Sequence, residues 1–531
     1  MRMQLKGHEA QDSGSRLSGR IWVIFLILSL LVAAGVVYKH FVAAPVEKNV
    51  SRLIFDESVS GSERQTITQA LAKQPQPSNG TTTVHVNTTF DQTSDSLVLE
   101  AYVPVTAAYA TRQTVTKAEL SQLPVRISSA VGTTARTAIT TLLDIPEGKV
   151  STFDAARDHL ADADIAIVPA SQVSPGVKLL RLDDGYYLDD FTKGALFRQA
   201  AFSGGAAHVL NDLRLNSLPA KDTVLKVNQT GVTALSRQMM QKLGSTNNPR
   251  YFSQKIGSFL ADADITHTSN EVSFKKGCAY SDTVFCSDPR FIETLRASGV
   301  DVVELAGNHN NDVGSTYNTA TINLYHSLGW HTFGGGLNAA EAAKPYSASQ
   351  KGSRVAFLGY NYADSPNSGA IAGPSTAGAN SFDFGKIQAD IRNLKQQSAF
   401  VIVDVQFWEC YAYPDGYQEL PECYAPIPNQ KKVFQRIIDL GADMVVGTQA
   451  HQPQTYQLYK GKPIYYGLGN LYFDQTRWPG TEKSIILTHY FQNGRLLQTK
   501  LSPTTYHDEL QTRLMSDKDA VSLLEKLKKA R

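Results

Sequence analysis

The sequence predicts an α/β protein behind one N-terminal membrane helix, on three observations. Short runs rich in Val, Ile and Phe alternate with segments of helical period along most of the chain. The strongest runs, such as DVVELAG from Asp301 and FVIVDVQF from Phe400, are nearly continuous in apolar residues, as strands covered on both faces are. Residues 21–38, IWVIFLILSLLVAAGVVY, carry no charge and are just long enough to cross most of a bilayer.

At 531 residues, 42% hydrophobic and 19% charged, the chain has ordinary globular composition and length for two or three domains. Lys plus Arg number 51 against 49 Asp plus Glu, a net charge of +2. That balance supplies no basic field for phosphate backbones, so no nucleic-acid partner is expected.

Arg2, Lys6, Arg16 and Arg20 precede the apolar run, and positive residues beside a first helix favour a cytoplasmic N-terminus. The reading is a cytoplasmic segment at 1–20, a transmembrane anchor at 21–39, and a single-pass cell-membrane protein with its bulk outside the cytoplasm. A cleaved signal peptide is the rival; the length of the run and Pro45 behind Ala43 and Ala44 oppose it. Outside the cytoplasm, the close pairs Cys278 with Cys286 and Cys410 with Cys423 suggest disulfides, each tying a loop. Zinc ligation is the alternative, and neither pair has CxxC spacing.

A first α/β domain is expected at 50–222. Arg52 to Ser58 reads as a strand, Gly61 to Lys73 as a helix, and KQPQPSNGTTT from Lys73 as a turn-rich break. SLVLEAYVPV, a helical stretch from Thr152 to Leu160, DIAIVPA from Asp164 and KLLRLDD from Lys178 continue the alternation. The stretch IAIVPASQVSPGVKLLRLDD is weakly similar to one lobe of periplasmic binding proteins. LADADI occurs from both Leu160 and Leu260, which reads as shared helix-to-strand grammar, not a repeat.

The second domain, 223–505, alternates more strongly: helices at Tyr251–Ala261, Pro289–Ser298 and Gln430–Leu440, and strands from Asp301, Arg354, Phe400, Asp443 and Pro463. In the tail, 506–531, DKDAVSLLEKLKKAR from Asp517 reads as an amphipathic helix that docks on the body.

Polar clusters stand directly after these strands, where open α/β sheets build their sites. In ELAGNHNNDVG, Asn308 and His309 can ligate a divalent metal, or His309 beside Asp312 can act as a general acid; Asn and Asp that merely stabilise a turn are the plainer alternative. In VGTQAHQPQTY, Gln449 and His451 stand two apart and share a side if the chain stays extended. In VDVQFWEC, Gln406 and Glu409 flank Trp408, which fits a core or pocket wall better than a catalytic group.

Over residues 226–500 the chain resembles the CapA-like capsule-biosynthesis family, associated with poly-γ-glutamate synthesis and export. The family's Asn-His-x-x-Asp-x-Gly motif is matched by Asn308, His309, Asp312 and Gly314. Its Tyr-x-Leu-Gly-Asn-x-x-Phe-Asp motif is matched by Tyr466, Leu468, Gly469, Asn470, Phe473 and Asp474. Ala263, Asp264 and Ser269 to Glu271 resemble its acidic strand end, which makes Glu271 the matching carboxylate. The resemblance implies a layered α-β-β-α sandwich similar to calcineurin-like metallophosphoesterases, in which paired metals polarise an ester and generate hydroxide.

The departures bear on that chemistry. The usual opening Gly-Asp is replaced by Thr230 and Gly231, His-Trp-Gly-x-Glu by Gln406, Phe407, Trp408 and Glu409, and Gly-His-x-His by Gly447, Gln449 and His451. A branch of the family shares the GVTALSR and Gln-x-His versions. An amide oxygen is a weaker ligand than imidazole for zinc-like metals. The site is therefore expected to hold at most one divalent metal ion, on some of Glu271, Asn308, His309 and His451. Gln406, Gln449 and Asn470 would bind substrate, and His309, Asp312 and Glu409 are the catalytic candidates. Two functions follow: a metal-assisted hydrolase or transferase acting on an exported anionic polymer or its precursor, or a non-catalytic polymer-binding or export scaffold working beside other capsule proteins. A solute sensor built on the first domain is a third.

Overall fold

A computed structural model of the chain describes residues 52–72, 83–91, 97–155, 157–204, 223–407, 430–475, 480–506 and 509–530. The predicted anchor, Trp408, Glu409, Cys410 and Cys423 lie outside the described residues. No helix among the described residues is long and apolar enough to cross a membrane.

Two compact units are present: Met1–Thr88 with Ala201–Arg214, and Thr89–Ala200 with Leu215–Arg531. In the first, strand Arg52–Phe55 runs parallel to the strand that begins at Thr83, pairing Leu53 with Val84 and Phe55 with Val86. Helix Gly61–Ala72 starts where Ser60 and Glu63 cap each other: Ser60 N–H donates to Glu63 Oε2 at 2.7 Å and Glu63 N–H to Ser60 Oγ at 3.3 Å.

The N-terminal part of the second unit is built around strand Leu97–Ala107, which is antiparallel to Ile165–Pro169. Val125–Ser128 runs parallel both to Ile165–Pro169 and to Val150–Phe153. The helix expected from Thr152 to Leu160 is absent: Val150–Phe153 is a strand, and the turn after it is closed by the Asp158 carboxylate, which accepts the Asp154 N–H at 2.8 Å. The β-branched residues of VSTF favour a pleated edge, and the tertiary partner decides against the helix.

From Val224 onward two sheets form. In the first, Val224–Thr233, Ile265–Asn270, Val302–Glu304 and His331–Phe333 are parallel neighbours, and Lys483–Gln492 and Arg495–Thr505 extend it antiparallel. In the second, Ser353–Asn361, Phe400–Gln406, Met444–Gly447 and Lys462–Tyr465 are parallel. One core packs the inner faces together, with Val227, Ile265 and Leu487 meeting Phe357, Ile402 and Val446. Leu523, Leu524 and Leu527 of the C-terminal helix Asp517–Lys529 join this core, so the tail helix docks on the body as its apolar spacing predicts. Outside the first sheet lie Met239, Leu260, Leu295 and Ile322; outside the second, Ile387, Ile391, Phe434 and Ile437. Both faces of both sheets are covered, which is why their strands read as continuous apolar runs.

Two expected elements are split. Tyr251–Ala261 is a 3₁₀ turn, Pro249–Ser253, followed by a short helix, Gly257–Ala261. The run PIYYGLGNLYF is not one strand: Lys462–Tyr465 belongs to the second sheet, whereas Asn470–Tyr472 pairs with Val224–Thr233 in the first. The crossing is made at Gly469, whose φ of +77° and packing against the Lys483 carbonyl leave no room for a side chain.

Candidate functional site

Every parallel strand of both sheets points its carboxyl end to one rim, and the expected site residues follow those ends. Glu271 comes straight after Ile265–Asn270, Asn308 and His309 follow Val302–Glu304, Gln406 ends Phe400–Gln406, and Gln449 and His451 follow Met444–Gly447. Gly307 makes the close approach possible: a Cβ there would stand 2.9 Å from the Glu271 Cα.

Glu271, Asn308 and Gln406 converge. The Gln406 Nε2 donates to Glu271 Oε1 and to Asn308 Oδ1, both at 3.3 Å, and its Oε1 accepts from Thr448 Oγ1 at 3.4 Å. An uncharged amide thus sits between the two oxygens that a cation would otherwise collect. Where the family's opening carboxylate would be sought, Thr230 Oγ1 donates to the His267 carbonyl at 3.0 Å, and Gly231 lies against the Gly469 carbonyl.

His309 and His451 are each fixed through Nδ1. Asp312 Oδ2 lies 2.8 Å from His309 Nδ1 and also accepts the Phe285 N–H at 2.8 Å. Asn470 Oδ1 lies 2.9 Å from His451 Nδ1, and Asn470 in turn donates to the Thr481 carbonyl at 3.1 Å. The two imidazoles flank one aromatic pair: Phe285 packs 4.6 Å from His309, Phe473 packs 5.2 Å from His451, and the two phenyl rings are 5.9 Å apart. Gln449 is buried two residues before His451. Asp312 and Asn470 therefore orient histidines, a supporting role that hydrogen bonding to the second ring nitrogen performs.

Several neighbours are not singled out by the sequence clusters. Arg237 lies over both phenyl rings, 4.4 Å from Phe285 and 5.0 Å from Phe473, and donates to the Asp282 carbonyl at 3.0 Å. Its φ is +46°, an uncommon backbone for a side-chain-bearing residue and a recurrent mark of functional positions. Asp474, whose carboxyl burial pushes up to about 7 against the opposing Gln238 N–H and Arg237, receives that N–H at 3.0 Å. The loop carrying Phe285 is closed by the Cys278–Cys286 disulfide, one of the two expected pairs.

Beneath the rim lies a buried ionisable layer. Asp404 meets His267 Nε2 at 3.1 Å and accepts from Gln229 Nε2 at 2.7 Å; Gln229 Oε1 lies 3.1 Å from His489 Nε2. Glu304 is pushed up to about 8, first by burial and then by Asp404 and Glu271, although Ser269 Oγ and the Ala306 N–H donate to it at 2.5 and 2.6 Å. These groups sit inside strands that read as core, so periodicity gives no cue to them.

Among the described residues, no group of three or more His, Cys, Asp and Glu side chains stands close enough to hold a metal ion. The convergent donors are one carboxylate and two amides, a set unlike a paired-zinc centre and nearer to a hard-cation or hydrogen-bonding site.

Residues 226–475 match the family model described as bacterial capsule synthesis protein PGA_cap. The capsule biosynthesis protein CapA of Bacillus anthracis is 27% identical over 207 residues, 38% of this chain and 47% of that protein. The PGA biosynthesis protein CapA of Bacillus subtilis (strain 168) is 23% identical over 242 residues, 45% of this chain and 60% of that protein. The chain thus spans about half the length of these curated relatives. A crystal structure of a hypothetical protein from Thermus thermophilus covers 52% of this chain and 98% of its own at 16% identity; its TM-score of 0.31 carries no argument.

Proposed function

We propose, from the membership of residues 226–475 in the bacterial capsule synthesis family PGA_cap, that this chain works in the biosynthesis or export of an anionic, poly-γ-glutamate-type surface polymer. On this reading it is anchored by residues 21–39 and faces the extracytoplasmic side, beside other capsule synthesis or export proteins. The covering of both sheets by helices supports a sandwich similar to calcineurin-like metallophosphoesterases. The rim site, however, is read as a binding site for the polymer and not as a two-metal hydrolase.

One observation carries that choice: the Gln406 amide bridges Glu271 and Asn308, so the oxygens best placed for a cation are already engaged by a neutral donor. Arg237 over Phe285 and Phe473 adds a positive charge and an apolar floor, which suit the carboxylate and methylenes of a glutamyl unit. Gln406 and Gln449 offer hydrogen bonds of the kind that pair with amides.

A second reading has its own support. His309 and His451, held through Nδ1, have the orientation by which ligating histidines present Nε2, so one divalent ion shared with Glu271 and Asn308 would serve a metal-assisted hydrolase or transferase. Metal content of the purified full chain, equilibrated with Mn²⁺, Zn²⁺ or Ca²⁺, separates the two. The binding reading expects no stoichiometric ion that disappears in both His309→Ala and His451→Ala. One equivalent lost in both variants overturns it in favour of the enzyme.

A further inference from the structure

A cleft of about 190 Å³ lies away from the rim, lined on one side by Tyr109, Gln113, Lys178 and Arg181 and on the other by Tyr456, Gln457 and Lys500. Four charged side chains line it: Lys178, Arg181 and Lys500 against the single carboxylate of Asp517. Arg181 is paired with Asp517 at 2.8 Å, and Lys500 with Asp189 at 2.7 Å. Lys178 is held only by the Ala110 carbonyl, at 2.8 Å, and has no carboxylate partner among the described residues. Burial, with Lys528 nearby, pushes its ammonium down to about 7.

The walls between these charges are aromatic. Tyr109 stacks on Tyr456 at 5.7 Å, Tyr456 meets Tyr465 at 5.9 Å, and Lys500 lies 4.5 Å over the Tyr186 ring. Uncompensated cation, phenol faces and glutamine amides recur within one cleft. A chain that repeats a carboxylate, a methylene stretch and an amide presents each complement in turn.

We infer that this cleft is a second binding site, separate from the rim, for a short run of a carboxylate-bearing polyamide, with Lys178 as its anion anchor. The inference rests on the polymer role proposed above and extends it: two sites on one chain hold one polymer at two points, which raises its retention without new contacts at either.

The test is titration calorimetry of the full chain with a synthetic ten-residue γ-linked oligoglutamate at low salt. Arg237→Gln disables the rim, so binding that survives it reports the cleft. In that background, Lys178→Gln and Gln113→Glu should each weaken binding about tenfold, and Lys178→Arg should keep it. Gln113→Glu gives up the hydrogen bond to the Thr111 carbonyl and leaves Lys178 in place, and so guards against a misfolded Lys178 variant. Identical affinity with and without the cleft substitutions overturns the inference, as does complete loss of binding on Arg237→Gln alone; the latter leaves the rim reading standing. Loss with cleft substitutions but none with Arg237→Gln supports the cleft and removes the rim. Equal binding of the uncharged γ-linked oligoglutamine, or full displacement by inorganic phosphate at equal charge, overturns the assignment to a carboxylate chain.

Discussion

Replacing Glu304 by Gln should change how the stability of this chain depends on pH. Glu304 is fully buried, and its carboxyl is raised from 4.5 to about 8 by burial, Asp404 and Glu271. A carboxyl raised on folding keeps a proton that the unfolded chain releases. Stability is therefore complete below about 4.5, falls as pH rises through the window up to about 8, and is level above it. At about 1.4 kcal/mol per pH unit, that window is worth on the order of 5 kcal/mol. Glutamine mimics the protonated acid: its oxygen can accept the Ala306 N–H and its amide can donate to Ser269 Oγ, so the two existing contacts persist without a titrating proton. Urea unfolding followed by circular dichroism at pH 5, 7 and 9 measures the effect. The wild-type chain should lose stability across this series by several kcal/mol more than Glu304→Gln, because other titrating groups are common to both. Parallel curves for the two proteins would refute the reasoning.

Three further outcomes are expected. His489 is buried and lowered to about 3, first by burial and then by His267, so it stays neutral while the unfolded chain protonates below about 6.5; stability should fall from pH 6.5 towards 3, and less steeply in His489→Gln, as acid unfolding midpoints would register. Gly307→Ala drives a methyl to within 2.9 Å of the Glu271 Cα, and its cost of about 1–3 kcal/mol in urea unfolding should come with a weaker response of oligomer binding to Arg237→Gln; an unchanged midpoint contradicts the close approach. Opening the Cys278–Cys286 bridge, which closes a loop of sequence separation 8, should cost about 2–3 kcal/mol and speed hydrogen exchange at the Phe285 amide that Asp312 accepts; protection unchanged in Cys278→Ser with Cys286→Ser would show that the loop is held by other contacts.

Much of the candidate site is legible in the order of residues alone. His309 with Asp312 and His451 with Asn470 lie in motifs placed just beyond apolar runs, and a strand end is where open sheets leave side chains uncovered. Glu271 is legible only through the family resemblance, because SNEVSF carries no local cue to a site. Arg237, Glu304 and the Asp404–His267 pair carry no such signal. Arg237 belongs to a helix start, and the others stand in strands whose apolar neighbours mask them; only the pairing of two sheets brings their charges within a few ångströms.

The sequence by itself determined the α/β class, the order of most strands and the docking of the tail helix, because hydrophobic period and turn residues act over a few positions. The tertiary structure alone decided which strands share a sheet. It divided PIYYGLGNLYF between two sheets at Gly469, turned Val150–Phe153 into a strand, and set the Gln406 amide between Glu271 and Asn308. The physical reason is range: local propensities are fixed by neighbours in the chain, whereas the engagement of a carboxylate, the room left for a cation and the burial that moves a pKa are fixed by residues a hundred or more positions away, brought near by packing.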